Sequence, residues 1–158
     1  DLGAREYNVL EPPQGLLALL TYINQEFGDR VEGRIYKSRV DFNSYEELHN
    51  IIEGFSPDII GIRTLTLYKD FFHDAVSYIR NHGISTPIIA GGPYASASYA
   101  ELLQDKNVCL AVIGEGEITL AEIIEKTLSN NNCLPGAEVL KNIPGIAFIE
   151  DTMGSLNA

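Results

Sequence analysis

The chain has 158 residues and is 45% hydrophobic, enough for one domain with a real core. Its formal net charge of −11 argues against nucleic acid and against an anionic membrane surface, since both need a basic face. No apolar run reaches the ~18 residues of a membrane span and no secretory leader is visible, so the expected location is the cytoplasm.

Asp1 to Leu10 offers only Tyr7-Asn8-Val9-Leu10 as a first strand, weak beside the later ones. From Gln14 to Phe27, Leu16, Leu17, Leu20, Ile23 and Phe27 recur at helical spacing, and Gly28 stops the helix. Val31 to Lys37 reads as a strand. Ser44-Tyr45-Glu46-Glu47 is a capping-box start for a helix ending near Gly54. Asp58 to Arg63 is a buried strand, Lys69 to Asn81 a helix closed by Gly83, and Pro87 to Ala90 the next strand. A short helix from about Ser98 to Gln104, a strand over Val108 to Ile113 and a helix over Ile118 to Leu128 follow. Asn130-Asn131-Asn132 marks a surface loop, and Ile146 to Ile149 a last short strand.

Strands alternating with helices predict a doubly wound, flavodoxin-like α/β fold, a parallel sheet with helices on both faces. Two strand exits stand out, Pro87-Ile88-Ile89-Ala90-Gly91-Gly92-Pro93-Tyr94 and Ala111-Val112-Ile113-Gly114-Glu115-Gly116. Apolar runs that end in glycines deliver bare backbone to the carboxyl edge of a sheet, where open α/β folds bind ligands.

Cys109 and Cys133 are too few for a disulfide scaffold or a metal knuckle, and Cys109, inside an apolar run, reads as a buried thiol. Glu115 and Glu117 suit a helix N-terminus better than an acid pair. Thr64 and Thr66 are candidate hydrogen-bond donors to a ligand, and equally ordinary strand residues. Tyr68 and Tyr94 read as loop residues at the same edge, able to stack on a planar ligand. Ser96 and Ser98 are either ligand contacts or helix caps. His49 and His82 read as solvated groups away from the carboxyl edge, while His73 is near enough to face a cleft there. There is no serine–histidine–aspartate set, no phosphate loop and no cysteine triplet for an iron–sulfur cluster.

The ordered set Glu11-Pro12-Pro13-Gln14-Gly15-Leu16-Leu17, Pro57-Asp58-Ile59-Ile60-Gly61-Ile62, Ala90-Gly91-Gly92-Pro93-Tyr94-Ala95 and Gly114-Glu115-Gly116-Glu117 resembles the cobalamin-binding domain of cobalamin-dependent radical S-adenosylmethionine enzymes. The resemblance covers roughly Leu10 to Ile149. Ile143-Pro144-Gly145-Ile146-Ala147-Phe148 resembles the connector into the radical domain of such proteins. It implies a domain over residues 1–150, its first strand weak or missing, and a tail over 151–158 leading toward a downstream domain. Cobalamin would be the cofactor here. S-adenosylmethionine and an iron–sulfur cluster would belong to the downstream radical domain, the implied partner, with methyl transfer as the reaction of the whole.

The resemblance also implies site residues. Arg63-Thr64-Leu65 falls on a Ser-x-Leu motif at the buried nucleotide tail, Gly91 and Gly92 on a glycine pair bordering it, and Gly114, Glu115 and Gly116 on the turn that closes the pocket, with Tyr94 beside them. Leu10 to Gly15 falls on the Asp-x-His-x-x-Gly motif of the mutase-type relatives, whose histidine binds cobalt. Here Leu10 replaces the aspartate, Pro12 replaces the histidine and Gly15 alone matches. Cobalamin bound to this chain would therefore carry no histidine on its lower face, and no residue is assigned as a metal ligand or as catalytic. Two alternatives stay open: a cofactor-free interaction or regulatory domain on the same fold, and a flavodoxin-type nucleotide or flavin binder. If the first strand is missing, an open sheet edge invites self-association.

Overall fold

The computed structural model describes residues 12–149. The expected strand at Tyr7–Leu10 and the tail at 151–158 lie outside the described residues. The chain divides into two compact units between Ser56 and Pro57.

In the first unit, helix α1 (Gln14–Phe27) buries Ile23 and Phe27 and ends at Gly28, whose φ of 53° breaks the helical path. Helix α2 (Tyr45–Phe55) starts as its sequence predicts, with the Ser44 hydroxyl accepting from the Glu47 N–H at 3.1 Å. The Glu47 carboxylate reaches one residue further back than a capping box requires and accepts from the Asn43 N–H at 2.6 Å.

Val31–Lys37 is not a strand. Its exposure alternates with period two, but it joins no ladder among the described residues, where only an isolated bridge between Ser38 and Phe42 follows it. Alternation specifies an extended segment with one inner side; a ladder also needs a neighbour whose N–H and C=O groups face it.

The second unit carries a four-stranded sheet in the order β1-β2-β3-β4. Strands β1 (Ile60–Arg63), β2 (Ile88–Gly91) and β3 (Leu110–Val112) run parallel, with Arg63 beside Gly91 and Ala90 beside Ala111. Helices α3 (Lys69–Asn81) and α4 (Pro93–Leu102) make the crossovers, and α5 (Glu117–Leu128) follows β3. Ile89, Leu110 and Val112 form one core cluster with Ile123 of α5 and Leu140 of α6 (Ala137–Leu140). α4 packs against β2 and β3. The architecture is the expected flavodoxin-like one, a mostly parallel sheet clothed by helices.

Strand β4 (Ile146–Ala147) differs from the all-parallel expectation and pairs antiparallel to β3. The chain returns to the carboxyl end of β3 before β4 begins: the Ile113 N–H donates to the Gly145 carbonyl at 2.8 Å. From there the strand can only run back. Gly145 makes this corner with φ 81°, and a β-carbon on it would stand 2.8 Å from the Thr119 hydroxyl oxygen.

At the amino edge of the sheet, Arg80 of α3 clamps three loop carbonyls. Its Nη1 donates to Ile84 O at 2.8 Å and Thr86 O at 2.7 Å, and its Nη2 to Asn107 O at 3.0 Å. Burial pulls the guanidinium pKa below its usual value. Among the described residues the opposite edge has no such cationic clamp.

Candidate functional site

The exits of the three parallel strands make up the carboxyl edge. β1 ends in Arg63, followed by Thr64 and Leu65 and a short 3₁₀ turn, Thr66–Tyr68. Thr64 is buried: its N–H donates to Gly91 O at 3.4 Å, its hydroxyl to Leu65 O at 3.3 Å, and its carbonyl accepts from the Tyr94 N–H at 3.2 Å. The β1 exit is thereby tied to the β2 exit by backbone alone.

Gly91 and Gly92 act differently. Gly92 has φ 85°, and a β-carbon on it would sit 2.6 Å from Arg63 Cγ and 3.4 Å from the Thr64 carbonyl oxygen. It is glycine because the backbone turns left-handed there and the Arg63 side chain crosses it. Gly91 has no positive φ, and a β-carbon on it would meet nothing within 4 Å. Its bareness serves neither the turn nor the packing. Gly114, with φ 79°, also faces open space, and its N–H donates to the Ser96 hydroxyl at 2.9 Å, joining the β3 exit to α4. Gly116 precedes α5, Glu117 opens it at the positive end of the helix dipole, and Glu115 is exposed.

The rim of this edge carries large apolar side chains among the exposed Arg63, Thr66 and Glu115. Leu67 is 80% and Ile118 73% exposed, with Leu65 and Tyr68 also at the surface. Single exposed leucines are ordinary; several around bare glycine turns suit a broad, flat, largely apolar ligand. The site reached by sequence reasoning thus divides. Arg63, Thr64, Leu65, Gly91, Gly92, Gly114, Glu115 and Gly116 lie at the three strand exits. Pro12 and Gly15 belong to the first unit, at and before the start of α1. There Pro12, Pro13, Leu17, Ile35 and Val40, with Lys37 and Asp41, line a shallow hollow of about 400 Å³.

Tyr94 is not a loop residue. It lies in the first turn of α4 and is completely buried. Its hydroxyl is 3.1 Å from His73 Nε2, and His73 Nδ1 is 2.8 Å from the Asp105 carboxylate. Burial raises the phenol pKa above its ordinary value. Both ring nitrogens of His73 are engaged inside the protein. His49 of α2 is 3.6 Å from the Glu53 carboxylate, and His82 stacks on Tyr78 with ring centroids 3.8 Å apart. Among the described residues no group of three histidine, cysteine or acidic side chains is arranged to hold a metal ion.

Two functional features escape the sequence. Ser96 does not cap α4, whose start is Gly92 and Pro93, but bonds to Gly114 across two strand exits. Asp105 sits in an unremarked polar loop, and only the fold brings it to His73. The kink of α4 at Ser98, with φ −142° and ψ 35°, explains why the helix reads as starting there.

These residues fit a corrin: Gly91 and Gly114 face open space, large apolar side chains stand exposed beside them, and the Gly91 carbonyl and the Gly114 N–H are already paired. Residues 3–124 match the B12 binding domain family. The chain belongs to that family. The match spans both units and takes in every strand exit described above. This B12 binding domain is 25% identical over 142 residues to an uncharacterized methyltransferase of Pyrococcus horikoshii, an alignment covering 89% of this chain and 28% of that protein. It therefore spans less than a third of that relative's length. Its fold is also similar to the N-terminal domain of a hypothetical protein of Thermotoga maritima, with a TM-score of 0.49, 21% identity, and coverage of 79% of this chain and 91% of that one. No helix among the described residues is long and apolar enough to cross a membrane.

Proposed function

We propose that this domain holds cobalamin for a larger cobalamin-dependent radical S-adenosylmethionine enzyme, one that transfers a methyl group, and that it is not catalytic alone. The observation that carries the corrin reading is the family match over residues 3–124 joined to the open space in front of Gly91 and Gly114. The methyltransferase in the name of the Pyrococcus relative supports the reaction class. The radical partner rests on the motif resemblance.

In this reading each residue has a task. Gly91 and Gly114 let the ligand lie against the main chain. Leu65, Leu67 and Ile118 exclude water from its apolar face. Thr64 keeps the β1 exit tied to Gly91 by its N–H. Arg63 offers a guanidinium, balanced by no ion pair that the structure records, to the anionic part of the nucleotide tail. Tyr94, inside α4, acts from behind the site. When bound, the corrin would supply methyl transfer chemistry that these side chains lack.

Pro12 carries no nitrogen that can bind cobalt, so the lower face is left without a histidine of the motif. The test is loading with hydroxocobalamin, then reduction to the cobalt(II) form and electron paramagnetic resonance. Co-elution of corrin with the chain, and no axial-nitrogen splitting that responds to nitrogen-15 histidine, are the expected results. Splitting that shifts with histidine labelling would overturn the ligand mode. Absence of co-elution would favour the second reading, a cofactor-free interaction domain, which the Pro12 replacement of histidine favours.

A further inference from the structure

The most developed side-chain network in the second unit lies behind the glycine edge. It runs from the Asn107 N–H to Asp105 Oδ1 at 3.0 Å, from Asp105 Oδ2 to His73 Nδ1 at 2.8 Å, and from His73 Nε2 to the Tyr94 hydroxyl at 3.1 Å. Phe72 packs edge-on against both His73 and Tyr94, at 5.1 and 6.1 Å between centroids. Tyr94 is fully buried, the Asp105 side chain is 12% exposed and that of His73 30%.

With the imidazole neutral, the chemistry of the three groups fixes the direction of the bonds. A carboxylate only accepts, so Nδ1 of His73 carries the proton given to Asp105. Nε2 then has a free lone pair and accepts from the Tyr94 O–H. A buried phenol needs such an acceptor. The same tyrosine donates its backbone N–H to Thr64 O, two residues after the left-handed Gly92. The relay therefore ends on the peptide that joins the β1 and β2 exits.

We infer that Asp105, His73 and Tyr94 form a positioning relay that fixes the Gly91–Gly92–Pro93 turn for ligand binding, with the His73 tautomer as its controlling element. None of the three touches the ligand; they act through the Tyr94 backbone. The inference rests on the corrin reading above. A site on bare backbone has few side chains to adjust it, so its shape must be set from behind.

The decisive variant is Asp105→Asn. Asn107 N–H still needs an acceptor, which keeps the new amide oxygen in place and turns its NH₂ toward His73 Nδ1. The imidazole must then carry its proton on Nε2, facing the tyrosine hydroxyl, which loses its acceptor. Tyr94→Phe removes the same bond from the other end. Nitrogen-15 histidine spectra of the wild-type chain should show the Nδ1–H tautomer at His73, and those of Asp105→Asn the Nε2–H tautomer. Hydroxocobalamin affinity should fall about tenfold or more in each variant, by analogy with the outer shells of metal sites. The double variant should be no worse than either single one, because both cut one path. A wild-type Nε2–H tautomer would overturn the relay. So would either folded variant, checked by thermal unfolding, that binds within about twofold of wild type. Failure of the wild-type chain to bind hydroxocobalamin would instead overturn the corrin reading, and the ligand role of the relay with it.

Discussion

Gly92 and Gly91 adjoin in sequence but answer to different physics. At Gly92 the constraint is internal, a φ of 85° and the Arg63 stem where a β-carbon would go. Gly92→Ala should cost about 1–3 kcal/mol in denaturant unfolding from the backbone alone, since φ 85° with ψ −167° is a region that only glycine adopts readily. Shortening Arg63 to alanine in the same chain should relieve the clash but not the backbone strain, so only part of the stability returns. Cys109 and Cys133 form a second contrast, the first buried and the second exposed. Burial pushes the Cys109 thiol up, as it does the Tyr94 phenol. The folded chain thus holds both protons more tightly than the unfolded chain. This contribution is intact below the ordinary thiol pKa and is lost as the pH rises past it. Unfolding midpoints should fall between about pH 8 and about pH 10.5, and replacing Cys109 with alanine should flatten that fall. One thiol should alkylate in native protein and two in denaturant. The burial of Cys109 was legible from its apolar run. That of Tyr94 was not, because a tyrosine after Gly-Gly-Pro looks like a surface residue until His73, 21 positions away, is brought to its hydroxyl.

Among the elements, β2 and β3 were legible because strands buried on both faces read as unbroken apolar runs, whereas β1, expected as buried, has its Ile60 and Ile62 half-buried and its Gly61 and Arg63 exposed. Helices α1, α2, α3 and α5 were legible from their spacing and caps, whereas the kinked α4 read as starting at Ser98 and the one-turn α6 is too short to show a period. Val31–Lys37 was not, since its alternation is real but pairing belongs to the neighbour as much as to the strand. The direction of β4 was set by a glycine corner at 145, which no periodicity reports. Arg80 shows how α3 is held on its sheet: one guanidinium satisfies Ile84, Thr86 and Asn107 carbonyls, from before β2 and before β3. Arg80→Met keeps much of the apolar stem and removes the donors. It should destabilise the fold by about 2 kcal/mol or more, read from urea unfolding, because buried carbonyls lose charged partners. A change below about 0.5 kcal/mol would mean that water replaces the clamp.

At the scale of the molecule, the two edges of the sheet divide the work. The amino edge is closed by Arg80, and the carboxyl edge is left bare, glycine-lined and rimmed by Leu67 and Ile118. The glycine turns were legible in the sequence as bare backbone at the carboxyl edge; the hydrogen bonds that tie His73 to Asp105 were not, since the two are 32 positions apart. In the proposed function the corrin lies in the space before Gly91. Gly91→Phe tests it most directly, because the backbone there accepts any residue and the side chain would enter open space. Titration with hydroxocobalamin, followed by visible absorbance, should saturate with wild-type protein. It should fail with Gly91→Phe at unchanged thermal stability. Equal binding by the two chains would mean that the corrin lies elsewhere.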